Sequence, residues 1–153
     1  MTSTALSGIK IADFSRVLAG PYATMLLADL GAEVVKVERP LTGDETRSWI
    51  PPVDSKGKST YFQSVNRNKS GITLDLSSNA DQLKARQLII DSDVVVENFG
   101  AGGMKKFGLD YENIKELNPK IIYCSITGFG SHGPLADLPG YDMLVQAMSC
   151  VLS

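Results

Sequence analysis

Five polar side chains fall where an alternating strand-and-helix chain would hold a ligand. Arg39 follows an apolar run, Asn98 follows another, and Lys69 sits in a polar turn before a third. Lys105 and Lys106 come just after the open segment Ala101-Gly102-Gly103. Cations and free backbone amides on one edge of a parallel sheet can hold a phosphorylated group. Taken singly, each also reads as a solvated surface charge. Tyr141-Asp142 opens the last helical pattern, and Asp142 fits two roles there. It can be a first-turn carboxylate on the helix dipole, or an active-site carboxylate held by the Gly140 turn. His132 is the only histidine and lies in a Gly-flanked loop with no visible triad partner. No cluster of metal ligands stands out, so no metal is expected. The loop SRVLAGP has one Gly, and neither a GxGxxG nor a GxxxxGK[ST] pattern occurs.

The elements that must place these residues start with 9–39. Ile9, Ile11, Ala12 and Phe14 read as a buried strand. Ser15 to Gly20 is a loop, and Pro21 suits the first turn of a helix, where its lost N–H costs nothing. Met25, Leu26, Leu27 and Leu30 share one side of that helix, Gly31 stops it, and Val34, Val35 and Val37 make a second strand. Two strands joined by a helix are parallel with a right-handed crossover. Ligands bind such sheets at the carboxyl ends of the strands. That places Ser15–Gly20 and Glu38–Pro40 on the functional edge.

The connection from 40 to 60 is long and rich in Pro and Gly, and it carries the only Trp, Trp49, beside Arg47. Loops of this length in a compact domain are often functional, although a surface loop pinned by one aromatic fits as well. Tyr61–Val65 is a short helical or extended piece. Asn66 to Gly71 reads as a turn and Ile72–Leu76 as a third strand. Ser78 or Asn79 caps a helix in which Leu83, Leu88 and Ile89 form the buried stripe. Val94–Val96 is a fourth strand, ending in Glu97-Asn98-Phe99-Gly100. Met104–Phe107 is a single helical turn, Tyr111–Leu117 a helix, Ile121–Ile126 a fifth strand, and Tyr141–Leu152 the last helix. The predicted fold is therefore α/β, a parallel sheet with flanking helices on both faces, Rossmann-like but without the dinucleotide fingerprint.

Composition narrows the function classes. The 153 residues are 43% hydrophobic and 21% charged, with a formal net charge of −2. That argues against a nucleic-acid partner, and no apolar run approaches a membrane span. The N-terminus, MTSTALSG, has no secretory pattern and no presequence Arg, so a cytoplasmic location is expected, with a mitochondrial one left open. Cys124 and Cys150 lack any CxxC or zinc spacing and are expected to be reduced, buried thiols. A receiver domain would use Asp13 with a second acid beside it, and Ile11-Ala12-Asp13 offers only one carboxylate.

Several blocks then fall into one order: DFSRVLAGPYATMLLADLGAEVVKVERP, GDETR, NRNKSGITLDL, DVVVENFGAGGMKKFGLDY, LNPKIIYCSITGFGSHGP and PGYDMLVQAMS. In these the chain resembles the N-terminal part of the class III CoA-transferases, a family that includes formyl-CoA transferase, carnitine CoA-transferase and α-methylacyl-CoA racemase. The resemblance implies a CoA-binding large domain, incomplete here, with residues 1–153 its N-terminal part and a small domain beyond. It implies an interlocked homodimer, acyl-CoA and a small carboxylic acid as substrates, and no tightly bound cofactor. Carried over by position, Val17, Leu18 and Ala19 lie against the pantetheine and thioester, and Arg39 and Lys106 lie near the CoA phosphates. Leu74, Asn98 and Phe99 match further CoA contacts, while Tyr141 and Asp142 match an active-site aromatic and its acidic neighbour. Some relatives have Gln where this chain has Leu18, and Leu18 cannot make that hydrogen bond. The family's nucleophilic Asp is expected beyond residue 153, so Asp142 has only a supporting role. Racemases carry His where Tyr141 stands, and a Tyr of pKa about 10 is a poor proton shuttle near neutrality. This favours transfer over racemisation. The blocks SRVLAGP, ERP with GDETR, and VNRNK resemble the dicarboxyl-CoA transferases most, which implies a dicarboxylic acid as the acceptor. The alternatives are an acyl-CoA racemase of the same family and a CoA- or nucleotide-binding module without chemistry.

Overall fold

A computed structural model describes residues 4–151. Five strands, β1 (Lys10–Asp13), β2 (Glu33–Glu38), β3 (Lys69–Thr73), β4 (Val94–Glu97) and β5 (Ile122–Ser125), form one parallel sheet in the order β3-β2-β1-β4-β5. The helices are α1 (Ala19–Asp29), α2 (Thr60–Ser64), α3 (Asn79–Ile90), α4 (Tyr111–Ile114) and α5 (Asp142–Met148). Chain order reverses at β1: the chain runs outward through β2 to β3, then crosses back to β4. The gap between the carboxyl ends of β1 and β4 is thus the switch point where α/β sheets open a ligand crevice.

Period-two alternation sorts the two faces. On one face Ile11, Val34 and Val96 pack with Ala28 of α1. On the other, Ala12, Phe14, Val37 and Val95 pack with Ala85 and Ile89 of α3 and Ile114 of α4. The α1 face also takes three charged residues. Asp13 follows Ile11 on it, and Lys36 follows Val34 opposite Asp13. Lys69 enters beside Val34.

Lys69 corrects the sequence reading. The third strand begins at Lys69, not at Ile72, and the turn before it is made by Asn68, which takes a left-handed φ of 62°. The apolar alternation of Ile72–Leu76 suggested the later register. The pairing instead follows the Lys69 ammonium, which reaches under the sheet to Asp13. The helix at Tyr111 is shorter than predicted, and α5 ends at Met148 because Cys150 turns left-handed, with φ 58°. Leu152, expected in that helix, lies outside the described residues. Thr60–Ser64 resolves the undecided segment as helix, capped by the Ser59 hydroxyl, which accepts from the Phe62 N–H. In the long connection, Trp49 meets Tyr61 at 5.0 Å between ring centroids, and a 3-10 turn forms at Glu45–Ser48.

The cysteines are a second correction: both thiols are exposed. Cys124 pairs with Val96 in register and so points to the α1 face. There α1 packs on β1, β2 and β4, and beside Cys124 the side chain of Ile122 is left 64% exposed. Among the described residues no helix is long and apolar enough to cross a membrane.

Candidate functional site

A cleft of about 280 Å³ opens at the carboxyl edge of the sheet. Its floor is apolar, built by Phe14 at the end of β1, Val37 of β2, Leu74 after β3, and Phe99 and Phe107 after β4. The two phenylalanine rings after β4 meet edge-on at 6.2 Å. Its rim carries Arg16, Arg39 and Lys106. Arg16 lies over the Phe99 ring, 4.6 Å from guanidinium carbon to centroid. Arg16 and Arg39 share one carboxylate, Glu45, at 3.9 and 3.5 Å, and the Arg16 Nε is buried without a partner. Lys106 lies over the Phe107 ring, 4.8 Å from Nζ to centroid. The acids at the cleft have other partners. Glu38 holds Arg47 in a two-pronged pair at 2.6 and 2.7 Å, and Asp75 accepts from the Ser77 amide and hydroxyl. The rim is left with surplus positive charge, facing an apolar floor. An anion with an apolar or aromatic body fits such a surface.

The loop after β1 is fixed residue by residue, although no ladder or helix holds it. The Ser15 N–H and hydroxyl bond Asp13. The Arg16 N–H donates to Asn98 Oδ1 at 2.9 Å, and Asn98 Nδ2 donates to the Arg16 carbonyl at 2.7 Å. Asn98 thereby clasps the loop across the switch point. The Val17 N–H donates to Asp44. Two buried ion pairs lie beneath. Lys36 meets Asp44 at 3.0 Å and Lys69 meets Asp13 at 3.1 Å, all four side chains being almost wholly buried. Burial alone would raise the Asp44 carboxyl. The Lys36 ammonium and the Thr46 hydrogen bonds outweigh it and hold the group below the usual carboxylate range. A carboxyl lowered in this way contributes stability that is complete above its unfolded value of about 4 and is lost as pH falls through the folded value. Thermal unfolding followed from pH 7 to pH 3 should show that loss in the lowest pH units, and Asp44→Asn should flatten it.

The residues expected from sequence separate by where the structure places them. Arg39, Leu74, Phe99 and Lys106 converge on the cleft. Asn98 sits beside it and acts on the loop backbone rather than on the open space. Val17, Leu18 and Ala19 form the loop and the start of α1; Val17 has φ 68° and Leu18 is 47% exposed. Tyr141 and Asp142 are not brought to the cleft. Tyr141 is 72% exposed at the N-cap of α5, and the Asp142 carboxylate accepts from Gln146 one turn on. Lys69 is no edge cation, because its ammonium is taken by Asp13, the Pro21 carbonyl and Asn66.

The sequence reading passed over Phe14 as a wall of the site, Arg16 on the rim, and Asp44 with Lys36 below the loop. One signal was available. In the strand EVVKVE, Lys36 stands among valines that must be buried, and a buried lysine needs a carboxylate.

The sequence model of CoA-transferase family III matches residues 6–153. The chain belongs to this family. Among its members, the succinate–glutarate CoA-transferase of Agrobacterium fabrum is 50% identical over an alignment 153 positions long that covers 97% of this chain and 38% of that protein. The mouse succinyl-CoA:glutarate CoA-transferase is 51% identical over 144 residues, covering 94% of this chain and 33% of that protein. A crystal structure of a CaiB/BaiF family protein from Brucella suis superposes with a TM-score of 0.91 at 48% identity, over 96% of this chain and 39% of that one. The chain thus spans little more than a third of the family III relatives it matches. The parallel sheet described above is the part they share.

Proposed function

We propose that this chain supplies the CoA-binding part of a family III CoA-transferase, which moves CoA from an acyl-CoA donor to a carboxylic acid. The observation that carries the reading is the cleft. Arg16, Arg39 and Lys106 share an apolar floor at the switch point, and a CoA nucleotide offers both phosphates and an aromatic base. The names of the relatives support a dicarboxylic acid, such as glutarate, as the acceptor. The chemistry is covalent catalysis by a carboxylate. An aspartate attacks the thioester carbonyl, CoA thiolate leaves, and a mixed anhydride forms. The thiolate then attacks the aspartyl carbonyl and the donor acid departs as its carboxylate. The acceptor carboxylate attacks the resulting aspartyl thioester and expels CoA thiolate, which then attacks the acceptor-side carbonyl of the new anhydride, releasing the new acyl-CoA and the free aspartate. Asp142 does not serve as that aspartate, since it lies exposed, away from the cleft, and bonded to Gln146. The catalytic acid belongs to further sequence or to a partner chain, in keeping with a homodimer.

Calorimetric titration with CoA tests the reading. Saturable binding is expected. Replacing Arg39 or Lys106 by Ala should weaken it by about tenfold each, the scale of one lost charge-assisted contact. No acyl transfer should occur with residues 1–153 alone. Binding indifferent to both substitutions would remove the cleft from the CoA site.

A further inference from the structure

The two walls of the cleft belong to segments far apart in sequence, and one buried carboxylate joins them. Asp44 ends the connection from β2 and caps the Glu45–Ser48 turn, accepting from the Thr46 N–H at 3.0 Å and the Thr46 hydroxyl at 2.8 Å. The same carboxylate receives the Val17 N–H, 3.3 Å from each oxygen. Lys36 holds it in place, 3.0 Å from Asp44 and donating to the Ser15 carbonyl at 2.8 Å. The turn that Asp44 caps carries Glu45, which takes both Arg16 and Arg39.

A fold selected for stability alone would not be built this way. Val17 is β-branched and sits at φ 68°, where glycine would be free of the steric cost. A buried ion pair gives no more stability than well-packed apolar side chains of the same volume. Both features instead fix one distance, that between the loop after β1 and the turn after β2.

We propose that the Lys36–Asp44 pair is a latch that sets the width of the cleft. Asp44 is a positioning residue for ligand binding and Lys36 is its anchor. Asp44 holds the Val17 amide and the Glu45 turn together, so that Arg16 and Arg39 meet the ligand from a fixed frame. The inference rests on the CoA reading above.

The test replaces the pair together, because a single uncompensated charge below the loop also threatens the fold. In Lys36→Met/Asp44→Asn both charges go and the volumes are kept. Amide hydrogen exchange and CoA titration are followed in the full chain, beside Asp44→Asn alone. In the double variant, exchange at Val17 should quicken by about tenfold while amides of β1 and β4 keep their protection. CoA affinity should fall by about fivefold, the cost of ordering a loosened loop on binding. Restored stability should not restore affinity. Unchanged exchange at Val17 would overturn the latch and leave the CoA reading standing. Faster exchange with affinity as in the parent chain would overturn its role in the site. A parent chain with protected Val17 that binds no CoA would overturn the CoA reading and the ligand role of the latch with it.

Discussion

Lys69→Met is expected to lower stability by about 3–5 kcal/mol, the cost of leaving one buried charge without its partner. The Lys69 side chain is 2% exposed, and its ammonium makes three contacts: Asp13 at 3.1 Å, the Pro21 carbonyl at 2.8 Å and Asn66 at 3.0 Å. Methionine keeps the length and loses all three. Asp13, wholly buried, would keep only the Ser15 donors and the Thr24 hydroxyl, at 2.6 Å. For a chain of this size the loss corresponds to a fall in Tm of about 6–20 °C, readable by calorimetry. A loss under about 1 kcal/mol would mean that the Lys69–Asp13 contact is not a buried ion pair on which the fold depends. Asp13→Asn placed on top of Lys69→Met should recover most of the stability, because the carboxylate is the group left stranded.

The pair also has a signature at high pH. Burial pushes the Lys69 amine below its usual value, against the pull of Asp13. Between the folded value and the unfolded value of about 10.4, the unfolded chain binds more protons, so this group makes stability rise with pH in that window. Lys69→Met removes the slope. Lys69 also ties the first turn of α1, through the Pro21 carbonyl, to the edge strand β3.

How much of this was legible in the sequence depends on whether a residue's role is local. Apolar runs and turn signals are local, and four of the five strands lie where the alternation placed them, within a residue or two at each end. The parallel order follows from the helices between them. Arg39 and Lys106 could be placed at the sheet edge for the same reason, since each comes soon after a strand, whereas Leu74 and Phe99 were pointed to only by the resemblance to the class III CoA-transferases. Partners across the sheet were not legible. Asp13 and Lys69 are 56 residues apart, and nothing in the intervening text joins them. So Lys69 read as a turn residue and β3 was set three residues late. Arg16 was hidden in another way, because its part in the site depends on the Phe99 ring, which arrives from the far side of the switch point. Cys124, without CxxC or zinc spacing, fits a buried free thiol by type, but the α1 face of the fifth strand is open and leaves it exposed.

Phe14→Ala is expected to cost about 3–5 kcal/mol, the range for truncating a buried phenylalanine, and to reach the ligand as well. The ring is 1% exposed and packs in the cluster with Val37, Leu74, Met104 and Leu109. It also forms part of the cleft floor, while its own N–H is fixed to the Val96 carbonyl at 2.8 Å. Removing the ring leaves a void below the floor, and the backbone at the end of β1 is too firmly bonded to collapse into it. Phe14→Leu keeps most of the volume and should stay within about 1.5 kcal/mol of the parent. The two variants separate packing from binding. If the floor only stabilises the fold, leucine restores stability and CoA affinity together. If the ring's flat face also supports Leu74 and Phe99 where the ligand rests, Phe14→Leu recovers stability in unfolding while its CoA affinity, read by titration, stays below that of the parent. The second outcome is expected. A branched side chain supports Leu74 and Phe99 less continuously than the flat ring does.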